Sequence, residues 1–392
     1  MKRSFHIFKP RIQWYRLNFI KAIAVFLTLF PFPVMALVGK SFLSGDFRCN
    51  VISENEVSIE AVNNSLSGNI TIPSEVEGYK VTTIATFGFG GCSNITSITI
   101  PEGVTSIGNN VFYMCSGLTS ITIPASVTSI GTSAFTTCSG LTSVAFAENS
   151  QLTSIGNFAF EDCSSLSSIS IPASVTSIGD NAFEDCSGLK KAEFASVESL
   201  CAISFGDALA NPLYFAKQLY IGNSKVTQLV IPESVTSIGD CAFVCCESIT
   251  SVVIQGAVGS IGDYAFAGCT GIESLSYAGQ NEPSFGEDAM GAVDNLSAVS
   301  VTPSYSSDKW GGYPVDMNYS YTTLSETSSQ EVNIFAKGKN IIIENADNEV
   351  FVYNAQGALV AHEKPQTRVV IATAEGGIYV VKVGGKVTKV VL

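Results

Sequence analysis

The chain has 392 residues and a net charge of −13, with 46% hydrophobic and 14% charged residues. This length is ample for a large hydrophobic core. The low charged fraction argues against a highly charged soluble enzyme and fits a body built from repeats rich in serine and threonine. Because phosphate contacts need lysine and arginine, the acidic excess argues against nucleic acid as a partner.

The first 36 residues contain no acidic residue, and their six basic residues precede an apolar run. A basic front, an apolar run and small residues at its end predict a secretory signal peptide at 1–36. An uncleaved membrane anchor is the alternative, but the run is shorter than about 18 residues and contains Pro31 and Pro33. After cleavage, 15 basic residues would face 34 acidic ones, a net charge of −19. We therefore expect neither a stable membrane span nor adsorption to anionic lipid.

One phrase recurs along the chain at a nearly constant step. Steps of 23, 23, 25 and 23 residues separate Cys92, Cys115, Cys138, Cys163 and Cys186. Such a period is typical of stacked units, each burying its apolar side against the next. In the copy that starts at Cys115, Ile121 and Ile123 point to one face of an extended segment, and Thr122 points to the other.

Stacking in register predicts columns of matching side chains. Isoleucine, with one aromatic exception, would form a column of Ile100, Ile123, Phe146, Ile171, Ile231 and Ile254. Phenylalanine would form a column of Phe89, Phe112, Phe135, Phe160, Phe183, Phe243 and Phe266. A cysteine column would comprise Cys92, Cys115, Cys138, Cys163, Cys186, Cys246 and Cys269. The Cα atoms of neighbouring cysteines would lie about 4.8 Å apart, which suits a disulfide, but their side chains would be parallel, which does not. A column of buried thiols is therefore the simpler interpretation. One disulfide among Cys241, Cys245 and Cys246 is the alternative.

The repeated phrase, LTSIxIPxSVTSIGxxAFxxC, resembles that of the BspA-like subclass of leucine-rich repeats. The resemblance implies a β-rich leucine-rich repeat solenoid of about 23-residue repeats, in which short strands alternate with turns or short helical segments. This subclass is mostly known as secreted or surface binding proteins, notably adhesins of Bacteroidetes. The implied function is therefore a non-enzymatic, adhesin-like binding protein that is secreted or held at the outer cell surface.

The expected domains follow from where the period begins, is interrupted and ends. They are a signal peptide at 1–36, an N-terminal cap at 37–65, the solenoid at 66–290 with an irregular insertion at about 195–231, a C-terminal cap and linker at 291–328, and a small all-β, sandwich-like domain at 329–392. Within the insertion, residues 219–221 and 226–231 are predicted to form a hairpin with its turn at Gly222 and Asn223. The insertion could be a functional protrusion or a simple tolerated insertion.

The end of the chain resembles the C-terminal sorting domain of type IX secretion substrates in Bacteroidetes. The matching residues are Val352, Tyr353, Asn354, Gly357, residues 377–383 and residues 386–392. This resemblance implies that the secretion machinery is a partner. It also implies that the domain serves as an address label rather than a catalytic part.

Few residues are suited to catalysis or metal binding. His6 lies in the leader, so His362 would be the only histidine of the mature chain, and neither a Ser-His-Asp site nor a histidine-rich zinc site is expected. No metal and no cofactor are predicted. The acidic pairs Glu161-Asp162 and Glu184-Asp185 fall on adjacent coils. A solvated turn surface is the simplest interpretation, with a calcium site and a glycosidase acid/base pair as alternatives.

The most regular exposed feature is a row of small polar side chains on the first strand of each coil, interrupted by one lysine and one glutamate. The candidate binding face comprises Ser97, Thr99, Ser120, Thr122, Ser143, Ser168, Ser170, Lys191, Glu193, Ser251, Ser274 and Ser276. Repeat proteins use such extended surfaces to bind macromolecules, although serine and threonine could merely keep the strands soluble. The expected partners are host or neighbouring-cell surface proteins, extracellular matrix or glycans. A secreted glycan-active enzyme and a structural surface component without a specific ligand are the rival functions.

Overall fold

The computed structural model describes residues 38–317, 333–337, 340–346, 349–354, 359–364, 366–372, 378–383 and 386–391. These residues belong to two compact units, Met1–Asn318 and Tyr319–Leu392. The predicted signal peptide at 1–36 lies outside the described residues, as does the end of the predicted linker.

The first unit is a solenoid of short strands, and the predicted β-solenoid with coils of about 23 residues is confirmed. Its first fifteen strands are β1 (Ser41–Ser44), β2 (Phe47–Val51), β3 (Glu56–Ala61), β4 (Ser67–Thr71), β5 (Glu75–Val76), β6 (Tyr79–Ile84), β7 (Asn94–Thr99), β8 (Ser106–Ile107), β9 (Ser120–Ile123), β10 (Ser129–Ile130), β11 (Ser143–Phe146), β12 (Ser154–Ile155), β13 (Ser168–Ile171), β14 (Ser177–Ile178) and β15 (Lys191–Phe194). The irregular segment that follows contains α1 (Val197–Ala202), β16 (Ser204–Phe205), a 3₁₀ helix (Ala208–Ala210), α2 (Leu213–Ala216), β17 (Leu219–Ile221) and β18 (Ser224–Lys225). The remaining strands are β19 (Gln228–Ile231), β20 (Ser237–Ile238), β21 (Ser251–Ile254), β22 (Ser260–Ile261), β23 (Ser274–Tyr277), β24 (Ser284–Phe285), β25 (Val299–Val301), β26 (Lys309–Trp310) and β27 (Tyr313–Asp316).

Each regular coil contributes one strand to each of two parallel sheets. One sheet has the order β1-β2-β3-β6-β8-β10-β12-β14-β16, with β5 beside β6, and the other has the order β4-β7-β9-β11-β13-β15-β17-β18. After the irregular segment two new sheets begin, β19-β21-β23-β25-β27-β26 and β20-β22-β24. We call the sheet that ends in β18 face sheet 1 and the sheet that begins with β19 face sheet 2. The register is in phase, since Ile121 of β9 lies beside Ile98 of β7 and Val144 of β11.

The third side of each coil is a turn held to the next coil by backbone hydrogen bonds. The bonds donated by the phenylalanine column run from Phe112 N–H to Ala134 O (2.7 Å), from Phe135 N–H to Ala159 O (2.7 Å) and from Phe160 N–H to Ala182 O (2.8 Å). Two residues of each turn have positive φ, for example Asn110 at 56° and Met114 at 60°. That conformation costs an L-residue about 1–2 kcal/mol. The hydrogen bonds of this turn ladder offset the strain.

The predicted phenylalanine column is present as two stacks. Neighbouring rings from Phe89 to Phe183 have centroids 5.1–5.7 Å apart and interplanar angles of at most 21°. A second stack joins Phe243 and Phe266 at 5.1 Å. Because the irregular segment separates Phe183 from Phe243 in the chain, the column is interrupted at the same place as the sheets.

The cysteine column lies behind the phenylalanine rings as buried thiols. All eleven cysteines of the chain are free in the structure, including Cys241, Cys245 and Cys246, for which a disulfide was the alternative. The Cys138 thiol donates to the backbone carbonyl of Phe112 at 3.0 Å, and Cys115 makes the same contact one coil earlier. Burial raises the pKa of Cys115 to about 12, which favours the protonated thiol.

The irregular segment joins the two halves of the solenoid through a buried asparagine. Asn211 is fully buried, and its Nδ2 donates to the carbonyls of Cys241 at 2.9 Å and Ala242 at 3.0 Å. Its Oδ1 accepts from the Leu213 N–H at 2.9 Å. Ala242 occupies the repeat position that accepts a backbone N–H of the phenylalanine column in the regular coils. The asparagine amide therefore replaces that donor where the ladder breaks.

Both ends of the solenoid are closed by irregular packing. At the N-terminal end, β1, β2 and β3 pair antiparallel, and β3 then pairs parallel with β6. At the C-terminal end, the fully buried Trp310 ring lies 4.9 Å from the Phe285 ring and 5.8 Å from the Tyr277 ring. These aromatic contacts cover the last coil.

The second unit consists of two antiparallel sheets. Its strands are β28 (Asn333–Lys337), β29 (Asn340–Ala346), β30 (Val350–Asn354), β31 (Leu359–Glu363), β32 (Gln366–Ala372), β33 (Ile378–Val383) and β34 (Lys386–Val391). The sheets have the orders β28-β29-β32 and β31-β30-β33-β34. Ile341 and Ile343 of one sheet share a buried cluster with Val352 and Val381 of the other, so the two sheets pack together as in a sandwich.

Candidate binding face

The twelve residues predicted to form the binding face lie on the same strand of successive coils. Face sheet 1 carries Ser97 and Thr99 on β7, Ser120 and Thr122 on β9, Ser143 on β11, Ser168 and Ser170 on β13, and Lys191 and Glu193 on β15. Face sheet 2 carries Ser251 on β21 and Ser274 and Ser276 on β23. The structure therefore distributes the predicted row over two sheets separated by the irregular segment.

Alternation along each strand directs these side chains outward. On β9, Ile121 and Ile123 are 3% and 0% exposed, whereas Ser120 and Thr122 are exposed. Ser251 departs from the pattern because its hydroxyl oxygen is buried and has no hydrogen-bond partner. The Ser251 hydroxyl is therefore not offered to a ligand on the face.

Register aligns the outward side chains into columns. One column runs through Ser97, Ser120, Ser143, Ser168 and Lys191. Because hydrogen-bonded strands lie about 4.8 Å apart, five residues in register place polar groups at regular intervals across five coils. A ligand that spans several coils would meet a repeating pattern of hydroxyl groups.

A second set of hydroxyls is structural, and none of them belongs to the predicted face. Thr119 Oγ1 donates to the Thr96 carbonyl at 3.1 Å, and Thr142 Oγ1 donates to the Thr119 carbonyl at 2.9 Å. These residues directly precede the strands and bond to the previous coil. The repeat phrase thus contains hydroxyls that hold coils together beside hydroxyls that point from the sheet.

A groove opens in face sheet 1 where the step is 25 residues. β11 pairs with β9 over four residues but with β13 only through Ser143 and Ser168. Beyond that pair lies an open groove of about 530 Å³, lined on one side by Ala145 and Phe146 and on the other by Ser170 and Pro172. The longer step was the only sequence signal for this groove, and it does not specify which strand pair would separate.

The two charged residues of the face form a network with the hairpin. Lys191 Nζ lies 3.0 Å from Glu193 Oε2 and 3.2 Å from Asn223 Oδ1, and the Asn223 N–H donates to Glu193 Oε1 at 2.6 Å. Burial opposes ionisation of Glu193, but hydrogen bonds from Lys191 and Asn223 and the lysine charge hold its pKa below the usual range. Lys191 Nζ also lies 4.9 Å from the centroid of the Tyr220 ring. The hairpin turn predicted at Gly222 and Asn223 is present, and the hairpin docks on the end of the face. Its second strand is β18 rather than the predicted residues 226–231, because β19 pairs with β21 in face sheet 2.

The acidic pairs lie on the turn side of the coils rather than on the face. Burial, followed by the charges of Glu184 and Asp162, raises the pKa of Glu161. Within the described part of the chain, no group of three or more histidine, cysteine, aspartate or glutamate side chains could hold a metal ion. His362 stacks on Phe351 with ring centroids 4.3 Å apart and lies 3.5 Å from Glu349 in the second unit.

We expect Glu161→Gln to stabilise the protein at neutral pH. The folded-state pKa of Glu161 is raised above its usual value, so the folded state holds this proton more tightly, and stability falls as pH rises through the interval between the two values. The variant should therefore melt at a higher temperature than the parent at pH 7, and the difference should shrink towards pH 4. Thermal melts at both pH values test this, with the exposed Glu148→Gln as control. A lower melting temperature of Glu161→Gln at pH 7 would show that the burial of this carboxylate near other acidic residues does not destabilise the fold.

Comparison with known proteins identifies the repeats. The model of the BspA type leucine rich repeat region matches six copies over residues 56–190 and 214–309, more than half of the chain. The chain is similar to the crystal structure of the pneumococcal vaccine antigen PcpA, with 19% identity, a TM-score of 0.41 and coverage of 68% of this chain and 82% of that one. It is also similar to a leucine-rich cell surface protein from Faecalibacterium prausnitzii (21% identity, TM-score 0.33, coverage 68% and 89%). A leucine-rich repeat protein from Bacteroides ovatus gives 20% identity, a TM-score of 0.32 and coverage of 70% and 90%.

Two further findings bear on the site. No curated protein matches the chain. Among the described residues, no helix has both the length and the apolar character needed to cross a bilayer. The helices of the irregular segment, α1 and α2, span six and four residues.

Proposed function

Because the chain belongs to the BspA-type leucine-rich repeat family, we propose that it is a non-enzymatic, adhesin-like binding protein at the outer surface of a bacterial cell or secreted from it. The observation that carries the proposal is the column of outward polar side chains, four serines followed by Lys191, that crosses five coils of face sheet 1 in register. A ligand would bind by contact with many equivalent positions rather than within one deep site. The partner class is a host or neighbouring-cell surface protein, extracellular matrix or a glycan.

The route to the surface is part of the same proposal. A basic, apolar leader at 1–36 supports export, and the sandwich-like second unit supports a sorting domain of the type IX secretion kind, as found in Bacteroidetes. The proposed division of the chain is a leader, a cap at 37–65, the solenoid at 66–290, a cap and linker at 291–328 and the sorting domain at 329–392. The solenoid would make contact with the ligand, and the last domain would address the protein to the secretion machinery.

Two of the grooves in the solenoid lack the pair of carboxyl groups that a glycosidase needs. The groove between β11 and β13 is lined by serine, alanine, valine, asparagine, proline and phenylalanine, without a titratable side chain. A second groove, of about 530 Å³, lies between β16, the last strand of its sheet, and β20, the first strand of the next sheet. Asp240 is the one titratable acid that lines this groove. A glycosidase needs two converging carboxyl groups at the scissile bond. Neither groove brings two together, whereas Glu282 and Asp288 line a groove of about 520 Å³ and Asp207, Asp240 and Asp263 line a pocket of about 270 Å³. The proposal therefore rests on the face and not on the cavities.

Blocking the face sterically tests the proposal. Thr122→Tyr places a large neutral side chain on the exposed face of β9, whereas Thr132→Tyr places it on the turn side of the same coil, where Thr132 is also exposed. We expect beads coated with the mature Thr122→Tyr protein to adhere about tenfold less to mucin or extracellular-matrix protein. The Thr132→Tyr control should adhere as the parent does. Equal adhesion of the parent and both variants would refute the proposed role of the face.

A further inference from the structure

Between Lys80 and Lys309, the positive charges of the solenoid are concentrated near one end of face sheet 1. Residues 81–308 contain 20 acidic and four basic residues. The four basic residues are Lys190, Lys191, Lys217 and Lys225. Lys190 directly precedes β15 and the other three lie on or between β15 and β18, so the remaining coils of that range contribute only negative charge.

Register brings two of these lysines to the same side of the sheet. Tyr220 of β17 lies beside Glu193 of β15 and beside Lys225 of β18. Registered neighbours point to the same face of a sheet, so Lys225 joins the row that contains Glu193, while Lys191 lies two positions before Glu193 on β15. Lys190 directly precedes β15 and is exposed.

Two of the lysines are available to a ligand. Lys191 pairs with Glu193, and Lys217 pairs with Glu247 at 3.3 Å. Among the ion pairs of the described residues none involves Lys190 or Lys225, and both side chains are exposed. The network of Lys191, Glu193 and Asn223 therefore fixes the hairpin, while Lys190 and Lys225 carry charge without an internal partner.

The rest of face sheet 1 does not cancel this charge. Its eight strands contain Lys191, Glu193 and Lys225 as their only charged residues. Charges separated by more than about 8 Å are largely screened at physiological salt. A chain of net charge −13 can thus present a locally positive surface.

The chemistry of the surrounding surface favours a carbohydrate over a protein ligand. Protein interfaces depend on aromatic or apolar anchors that become buried. The largest exposed hydrophobic side chains of the described residues, such as Phe87 and Met114, lie off the strands of face sheet 1. Those strands instead present serine and threonine hydroxyls and, at the hairpin, the Asn223 amide, which suit hydrogen bonds to sugar hydroxyls.

We propose that the β15–β18 end of face sheet 1 binds a negatively charged polysaccharide, whose carboxylate or sulfate groups contact Lys190 and Lys225 while its hydroxyls contact the neighbouring serines. This proposal rests on the proposed function and names the ligand class of that face. Lysine serves here as a flexible point charge, which tolerates the irregular spacing of anionic groups on a polymer.

The test measures binding of the mature chain to immobilised heparin, to polygalacturonate and to neutral dextran. We expect binding to heparin or polygalacturonate that weakens with added salt, and none to dextran. The double variant Lys190→Gln/Lys225→Gln should bind about tenfold more weakly. Lys80→Gln/Lys309→Gln removes the same charge from exposed lysines outside face sheet 1 and should bind as the parent does.

Each outcome has a definite consequence. Binding to heparin alone assigns the site to sulfate groups, and binding to both polymers shows that carboxylates suffice. The inference is overturned if neither polymer binds, or if both double variants lose affinity equally. Adhesion that is abolished by Thr122→Tyr but unchanged in Lys190→Gln/Lys225→Gln would also overturn it, and it would leave the proposed function intact with a ligand of another class.

Discussion

Replacing Phe135 with alanine should lower the free energy of unfolding by about 3–5 kcal/mol, the usual range for removing a buried phenylalanine. Phe135 is 0% exposed, and its ring stacks between those of Phe112 and Phe160, with centroid distances of 5.1 Å on both sides. The substitution removes ring contacts with two coils at once. The surrounding strands cannot close the cavity, because their spacing is fixed by the hydrogen-bonded ladders on every side of the coil.

Urea denaturation followed by circular dichroism measures this effect. Phe135→Leu retains most of the buried volume and should cost less than about 1.5 kcal/mol. Phe87→Ala is the matched control, because Phe87 is 58% exposed and an exposed position should change stability by about 0.5 kcal/mol or less. If Phe135→Ala costs no more than Phe87→Ala, the phenylalanine stack does not stabilise the solenoid.

The phenylalanine column could be predicted because every regular coil repeats the same environment. A constant step brings residues such as Phe112 and Phe135 to equivalent positions, and stacking then makes them neighbours. The outward direction of Thr122 follows equally directly from alternation with Ile121 and Ile123. The sequence therefore predicts the parts of the fold that depend on period and alternation alone.

Features that depend on contacts between different coils were beyond such reasoning. The glycine of the Ser-Ile-Gly phrase is one example, because a Cβ at Gly179 would overlap Oδ1 of Asn157 in the preceding coil. The groove between β11 and β13 is another, since a longer step does not reveal that pairing stops after Ser143 and Ser168. A local sequence pattern does not show which side chain of a neighbouring coil packs against a glycine, or between which two coils strand pairing stops.

The lysine-bearing end of the face shows the same limit at the functional level. Lys191 and Glu193 were predicted to interrupt the row of hydroxyls, which treated them as isolated exceptions. The structure joins them to Asn223, which lies 30 residues beyond Glu193 in the chain. Only the docking of the hairpin places Lys225 in the same row. A charge cluster assembled from separate segments needs the fold before it can be recognised.

Asn211→Ala should destabilise the protein by about 3 kcal/mol or more. The substitution leaves the carbonyls of Cys241 and Ala242 and the N–H of Leu213 without the amide that now bonds to them. A buried polar group left without a partner costs about 1–3 kcal/mol, and Asn211 and Leu213 are both fully buried. These hydrogen bonds lie where the first two sheets have ended and the next two begin. Their loss should therefore also weaken the coupling between the two halves of the solenoid.

Denaturant unfolding and amide hydrogen exchange together test this prediction. In a repeat architecture, stability is roughly a sum of unit and interface terms. A weakened junction should therefore split the single unfolding transition into two. The amides from β19 onwards should then exchange before those of β7–β15. Asn211→Asp places a carboxylate against the carbonyl oxygens of Cys241 and Ala242, so at neutral pH it should destabilise the protein at least as much as Asn211→Ala. The exposed Asn94→Ala is the control, with an expected change of about 0.5 kcal/mol or less. A single transition with parental stability in Asn211→Ala would show that the junction does not depend on this amide.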